Sequence, residues 1–309
     1  MKFQPPTDDR ENRVPLNTEV FVKEFGLGGY HWDDIRGTLE QVWNDWAHDP
    51  VVATAFGEWS RYQSHFNGSV GVQRDLFLRH TYLTVLARLL VAVSVWPQEV
   101  AMMDPGGLES LIKGDFFRER GLLNVVEVDD PFIWVGKPEI LNAMKRPVLE
   151  LLGQLIAYDY DQLNEDILRG LYHELVDPET RHDQGEYQTP DLVCERIVEK
   201  ILEDWTPLEK GVPTIISDPR ASTSNFLRAG LRQLTTRLRA VGIPLADQPE
   251  ILTTLVVGTD QHPLGVALAK ANYVLAIKEV LAVKQQAVVV PIFLVDTTIS
   301  PKSGRPIAS

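Results

Sequence analysis

The chain has 309 residues, 44% hydrophobic and 24% charged, with a net charge of −13. That balance excludes a disordered or fibrous chain, and the length suits one large domain or two of about 150 residues. A single cysteine, Cys194, excludes an internal disulfide and any zinc cluster built from several thiolates. The polar start, Met1–Arg13, lacks the apolar core of a signal peptide. The longest apolar stretch, Leu83–Trp96, reads as short for a bilayer span of about 20 residues and carries Arg88. A cytoplasmic protein without a membrane partner is expected. Charge is uneven: residues 210–309 hold 11 basic and 6 acidic side chains, net +5 against −18 for the remainder. Such halves suit two domains with different tasks, or acidic helices that simply face water.

Residues 1–18 are polar and Pro-rich and read as a flexible arm. From 19 to 165 the texture is helical. Gly26-Leu27-Gly28-Gly29 reads as a loop. Trp32, Ile35, Leu39, Val42, Trp43 and Trp46 recur every three or four residues along one helix face. Leu76–Val95 is apolar almost all round, as in the buried centre of a bundle. Asn124–Val135 reads as extended segments around Asp129-Asp130-Pro131, and Asn142–Tyr160 as helix. After Thr206-Pro207 come three continuous, β-branched runs, Pro213–Ser217, Leu252–Gly258 and Ala287–Leu294. They fit parallel strands buried on both faces. Helices predicted over Asn225–Val241 and Pro263–Val283 alternate with them, the order of a doubly wound α/β sheet. Arg228, Arg232, Arg237 and Arg239 on the first of these helices suit either phosphate contact or a solvated face. The seven histidines show no metal-ligand spacing.

Residues Ile167–Pro190 read ILRGLYHELVDPETRHDQGEYQTP. Thr189-Pro190 then opens an amphipathic helix with Val193, Ile197 and Ile201 on one face, Thr189 being the expected N-cap. This stretch resembles the segment ahead of the catalytic domain in adenine-N6 DNA methyltransferases of the type I and type IIG restriction-modification kind and related phage-defence enzymes. Their pattern is L-x-x-Y-E-x-L…R…G-E-Y/F-Y-T-P. Leu168, Tyr172, Leu175, Arg181, Gly185, Glu186, Tyr187, Thr189 and Pro190 match, and Gln188 replaces an aromatic residue. The next block, Asp218–Leu227, is similar to D-P-x-C/A-G-S-G-x-F-L: Asp218, Pro219, Ala221, Phe226 and Leu227 match, while Ser222 and Ser224 replace the two glycines. The third block resembles G-x-D-x-x-P-x-A-x-x-A-x-x-N through Gly258, Asp260, Pro263, Ala269 and Asn272, with Gly265 in place of Ala. Pro291–Asp296 is similar to the family's l-P-v-y-l-x-D segment.

The resemblance implies an α/β protein with an all-helical N-terminal domain at 19–165. At 166–309 it implies the N-terminal, cofactor half of a Rossmann-like class I methyltransferase sheet, left incomplete. It implies S-adenosylmethionine as cofactor, held by Tyr187, Thr189, Pro190, Asp218, Ala221, Ser222, Ser224, Phe226, Asp260 and Asp296. Asp260 would take the ribose and Asp296 the adenine. Glycines at 222 and 224 would let the backbone adopt φ > 0 and approach the cofactor. Serines there are strained by about 1–3 kcal/mol each, so cofactor binding is expected to be weak or lost. The family's Asn/Asp-Pro-Pro-Tyr/Phe loop, which holds the flipped adenine, is absent, so no catalytic residue is assigned. The chain is thus expected to be a truncated, split or degenerate adenine-specific DNA methyltransferase subunit, inactive alone. Its partners would be DNA and a second polypeptide, or a second copy, covering the bare edge of the first strand. The alternatives are a non-enzymatic interaction protein that keeps the fold without the cofactor and, less favoured, a methyltransferase for another substrate.

Overall fold

Two residues within the predicted arm form a short strand. β1 (Val14–Pro15) pairs in parallel with Tyr158–Asp159, and the Val14 amide donates to the Ala157 carbonyl at 3.2 Å. The computed structural model describes residues 13–63, 70–104, 106–161, 163, 165–178, 181, 189–203, 205 and 216–295. The predicted arm residues 1–12 lie outside them.

α1 (Thr18–Phe25) is capped by Asn17, whose side chain accepts the Val20 amide, and it buries Phe21 and Phe25. The predicted glycine loop follows, with Gly28 at φ 76°. α2 (Tyr30–Trp46) buries Trp32, Ile35, Leu39 and Val42, the face its spacing predicts. α3 (Pro50–Tyr62) starts at Asp49, which caps it through the Val51 amide. α4 (Val70–Val95) is the central helix. Its apolar stretch is longer than the sequence suggested. Val72–Val95 spans 24 residues, long and apolar enough to cross a bilayer, and 94% of its most apolar window is buried within the protein, as in a core helix. Arg88 survives at its centre because its guanidinium donates to the Ile112 carbonyl at 2.7 Å and to Asp130 at 2.6 Å.

That ion pair also overturns the extended reading of Asn124–Val135. After α5 (Pro97–Ala101), α6 (Gly107–Lys113) and α7 (Asp115–Glu119), only β2 (Leu122–Leu123) is a strand. The chain then turns so that Asp130 can meet Arg88 and cap the Phe132 amide, and Ile133–Gly136 forms a 3₁₀ turn. α8 (Pro138–Ile156) ends before β3 (Tyr158–Asp159), so the predicted helix stops short of Tyr160. α9 (Ile167–Leu175) is capped by Asp166.

α10 (Asp191–Ile201) corrects two expectations. Pro190, not Thr189, occupies the N-cap position, and no side chain caps the helix. The face buried against the core carries Cys194 and Val198, whereas Val193, Ile197 and Ile201 are exposed. α10 is seated by its polar flanks instead. Asp191 takes both terminal nitrogens of Arg169 at 2.8 Å, and the Glu195 carbonyl accepts from Gln233.

β4 (Ile216–Asp218), β5 (Val256–Asp260) and β7 (Ile292–Leu294) form a parallel sheet in the order β4-β5-β7, with Asp218 opposite Gly258 and Asp260 opposite Leu294. α11 (Asn225–Ala240) links β4 towards β5 as predicted. The strand predicted from Leu252 begins only at Val256. Residues Gln248–Leu255 are α12, since Pro249 opens a turn and the Thr253 and Thr254 hydroxyls donate back to the Pro249 and Glu250 carbonyls. The helix predicted over Pro263–Val283 breaks at Ile277 into α13 (Pro263–Ala276) and α14 (Lys278–Ala282). The run Ala287–Leu294 is two strands. β6 (Val288–Val289) pairs with β2, and beyond Val290-Pro291 the chain changes partner to β5.

The two sheet edges differ. The outer side of β7 is sealed by the helical half: Asn124 donates to the Val290 and Ile292 carbonyls, and Glu127 accepts the Leu294 amide. Glu127 also neutralises Lys270, which is 1% exposed. Among the described residues β4 pairs on one side only, with β5.

Candidate functional site

The loop from Asp218 to Ser224 joins the end of β4 to the start of α11. Asp218 turns its carboxylate back onto the loop, where it accepts the Arg220 amide at 3.0 Å. Burial first, and then the neighbouring Asp260, raise its pKa above the usual carboxylate range. Ala221 is buried and donates its amide to the Thr259 carbonyl, which clips the loop to β5. Ser222 and Ser224 both lie in the left-handed region, at φ 43° and 72°. The backbone therefore follows the path expected of glycine although serine occupies it. Ser224 is fully buried, and its hydroxyl meets no hydrogen-bond partner among the described residues. Phe226, on the first turn of α11, is half-buried against the core.

Asp260 ends β5 beside this loop. Its two carboxylate oxygens are both engaged, one by the Ser222 amide and the other by the His262 amide, each at 2.8 Å. Gly265 on α13 lies over the same carboxylate, and a Cβ there would come within 3.0 Å of it. Gly258 on β5 is equally confined: a Cβ would meet Leu227 at 2.7 Å. Thr189 reaches the site through its carbonyl, which accepts from Asn225 at 2.8 Å. Pro190 is exposed at the head of α10. Tyr187 and Asp296 lie outside the described residues. The structure thus brings Thr189, Asp218, Ala221, Ser222, Ser224 and Asp260 together at the carboxyl ends of parallel strands.

Asn272, matched in the third block, has a part the sequence did not reveal. Its buried amide donates to the Thr223 carbonyl at 2.8 Å and to Asp166 at 2.9 Å, tying the loop to the cap of α9. Arg228 is not the solvated side chain of the second alternative. It is 11% exposed and lies 3.6 Å from Asp166. Burial raises the Asp166 pKa, and Arg228 opposes that rise. Arg232 and Arg239 pair with Glu195 and Glu279. Cys194 is buried, and burial raises its thiol to about 11, so it is not a nucleophile at neutral pH. Among the described residues no group of three His, Cys, Asp or Glu side chains could hold a metal.

A nucleoside held here would need a carboxylate open to two ribose hydroxyls. Asp260 is 5% exposed with both oxygens engaged. Each oxygen keeps a second lone pair, but at that exposure little of the carboxylate is open to a ligand.

No protein-family model matches the chain. No curated protein matches it. Two solved structures are similar at low identity. The ATP-dependent Type ISP restriction-modification enzyme LlaBIII bound to DNA aligns at a TM-score of 0.46 and 16% identity, over 90% of this chain and 18% of that one. A nuclease-deletion mutant of the Type ISP restriction-modification enzyme LlaGI, in complex with a DNA substrate mimic, aligns at 0.47 and 17% identity, over 91% of this chain and 22% of that one. The chain therefore spans about a fifth of the length of these enzymes.

Proposed function

We propose that the chain is a restriction-modification protein carrying the cofactor half of an adenine-N6 DNA methyltransferase frame, and that it transfers no methyl group on its own. The observation that carries this reading is the pair of left-handed serines between β4 and α11, set beside the acid that ends β5. A loop free to relax would not hold two side-chain-bearing residues in that region so close together. The positions are those at which the sequence pattern calls for glycine. The Asn/Asp-Pro-Pro-Tyr/Phe loop that such enzymes close on adenine has no counterpart in the 309 residues. Methylation of adenine N6, with S-adenosylmethionine as donor, therefore belongs to an assembly that includes that loop. DNA and a second polypeptide, or a second copy, seated along the one-sided edge of β4 complete the proposal, with the cytoplasm as its place.

A second reading is favoured by the engaged Asp260 carboxylate: an interaction protein that keeps the fold without the cofactor. Calorimetric titration of S-adenosylmethionine into the full chain, with Asp260→Ala as control, decides between them. Saturable binding that the control loses supports the first reading. A folded chain that takes up none, in the wild type and in the Ser222→Gly/Ser224→Gly double variant alike, supports the second. Methylation of DNA by the chain alone would refute the claim that it is inactive by itself.

A further inference from the structure

His80 stands on the central helix α4, 2% exposed, far in sequence from every block discussed above. The Trp59 indole N–H donates to its Nδ1 at 3.1 Å. An indole nitrogen can only donate, so Nδ1 is the acceptor, and in the neutral ring the proton must sit on Nε2. That Nε2–H is buried and meets no acceptor among the described residues. A buried donor in that position is costly unless something accepts from it.

The ring lines a small cavity of about 10 Å³ together with Gln63, Tyr172, Ser222, Thr223 and His262. The volume matches roughly one water molecule, and the lining supplies the two to four polar partners a buried water needs. Two of these residues are the ones whose amides grip Asp260: Ser222 on one oxygen, His262 on the other. A third, Thr223, is held from behind by Asn272. The cavity thus lies directly under the clamp on Asp260, with the helical half of the protein on its other wall.

We propose that a single buried water accepts the His80 Nε2–H bond and bridges it to the loop carrying Ser222 and Thr223, which makes His80 a positioning residue for the clamp on Asp260. The proposal stands on this geometry and does not depend on whether the chain binds a cofactor. Burial also pushes the imidazole down to about 3, so the ring stays neutral and keeps its Nε2 proton across the physiological range. The signal in the sequence was faint, because a lone histidine in an apolar helix resembles any core histidine.

Two measurements on the full chain test it. In the ¹⁵N-labelled protein at pH 7, the His80 ring should carry its proton on Nε2, and that proton should show cross-relaxation to a long-lived water. A proton on Nδ1, or no water contact, overturns the proposal. Hydrogen exchange is then compared among wild type, His80→Phe and His80→Gln. In His80→Phe the Ser222 and His262 amides should exchange about tenfold faster, near the worth of one hydrogen bond, while α8 keeps its protection. His80→Gln, which retains a donor, should restore most of the difference. Acceleration spread equally over α8 and the loop, or none at the loop, overturns the positioning role. Should His80→Phe fail to fold, the ring-proton and water measurements on the wild type decide alone.

Discussion

Replacing Ser224 by glycine should make this protein more stable, the reverse of what altering a fully buried residue usually does. Ser224 sits at φ 72° with its side chain buried and its hydroxyl unpartnered. A left-handed conformation costs a residue with a Cβ about 1–2 kcal/mol. An unsatisfied buried hydroxyl costs about 1–3 kcal/mol more. Glycine removes both. Against it stand about 0.5–1 kcal/mol for the freer unfolded chain and about 0.8 kcal/mol for one buried carbon. The expected net gain is about 1–3 kcal/mol. Urea unfolding at pH 7 measures it, as a higher midpoint with an unchanged slope. Ser224→Ala loses the hydroxyl but keeps the strained backbone, and it should gain about 1–3 kcal/mol. A glycine variant no more stable than the wild type would refute the claim that serine occupies a glycine's conformation at a cost.

Three further outcomes are expected. His80 binds its proton with a pKa near 3 in the folded chain against 6.5 unfolded. Below pH 6.5 the unfolded state therefore takes up a proton that the folded state refuses, and stability falls by about 1.4 kcal/mol per pH unit until the folded pKa is reached. Unfolding free energies at pH 6.5 and 4.5 should differ by about 2–3 kcal/mol more in the wild type than in His80→Phe, and equal slopes would sink the assignment. Glu127→Ala strands the Lys270 ammonium, which is 1% exposed, and should cost about 3 kcal/mol. Glu127→Leu combined with Lys270→Met should recover most of that loss, measured by the same denaturation. Sedimentation velocity over a hundredfold concentration range should show self-association through the one-sided edge of β4, unless a second polypeptide is supplied; a strict monomer that also recruits no partner strand would count against that edge as a docking place.

Much of this architecture was legible in the sequence wherever one face of an element decides its fate. The buried stripe of α2 and the bounds of α11 follow from apolar spacing alone. The strain at positions 222 and 224 followed from comparing serine with the glycine a tight loop requires. The misreadings have local causes. Leu252–Leu255 looks like a strand, but Pro249 and the threonine back-bonds wind it into helix, a competition that composition does not display. Ala287–Leu294 is one apolar run serving two partners, and only the tertiary arrangement shows the exchange at Pro291. Asp260 was legible as a site residue, but its engagement by two amides was not, because backbone donors leave no trace in residue identity. The apolar face of α10 is likewise not the one it buries: its docking relies on Asp191 and the Glu195 carbonyl as much as on Cys194 and Val198.

The sealing of β7 by Asn124 and Glu127 bears on how this protein can change over generations. The helices and the sheet look like separable modules, yet a buried cation of the second depends on an acid of the first: Glu127 pairs with Lys270. A recombination event that exchanged only the front helices would take the Glu127 carboxylate away from the buried Lys270 ammonium. A rearrangement that keeps this ion pair must carry Glu127 and Lys270 across together.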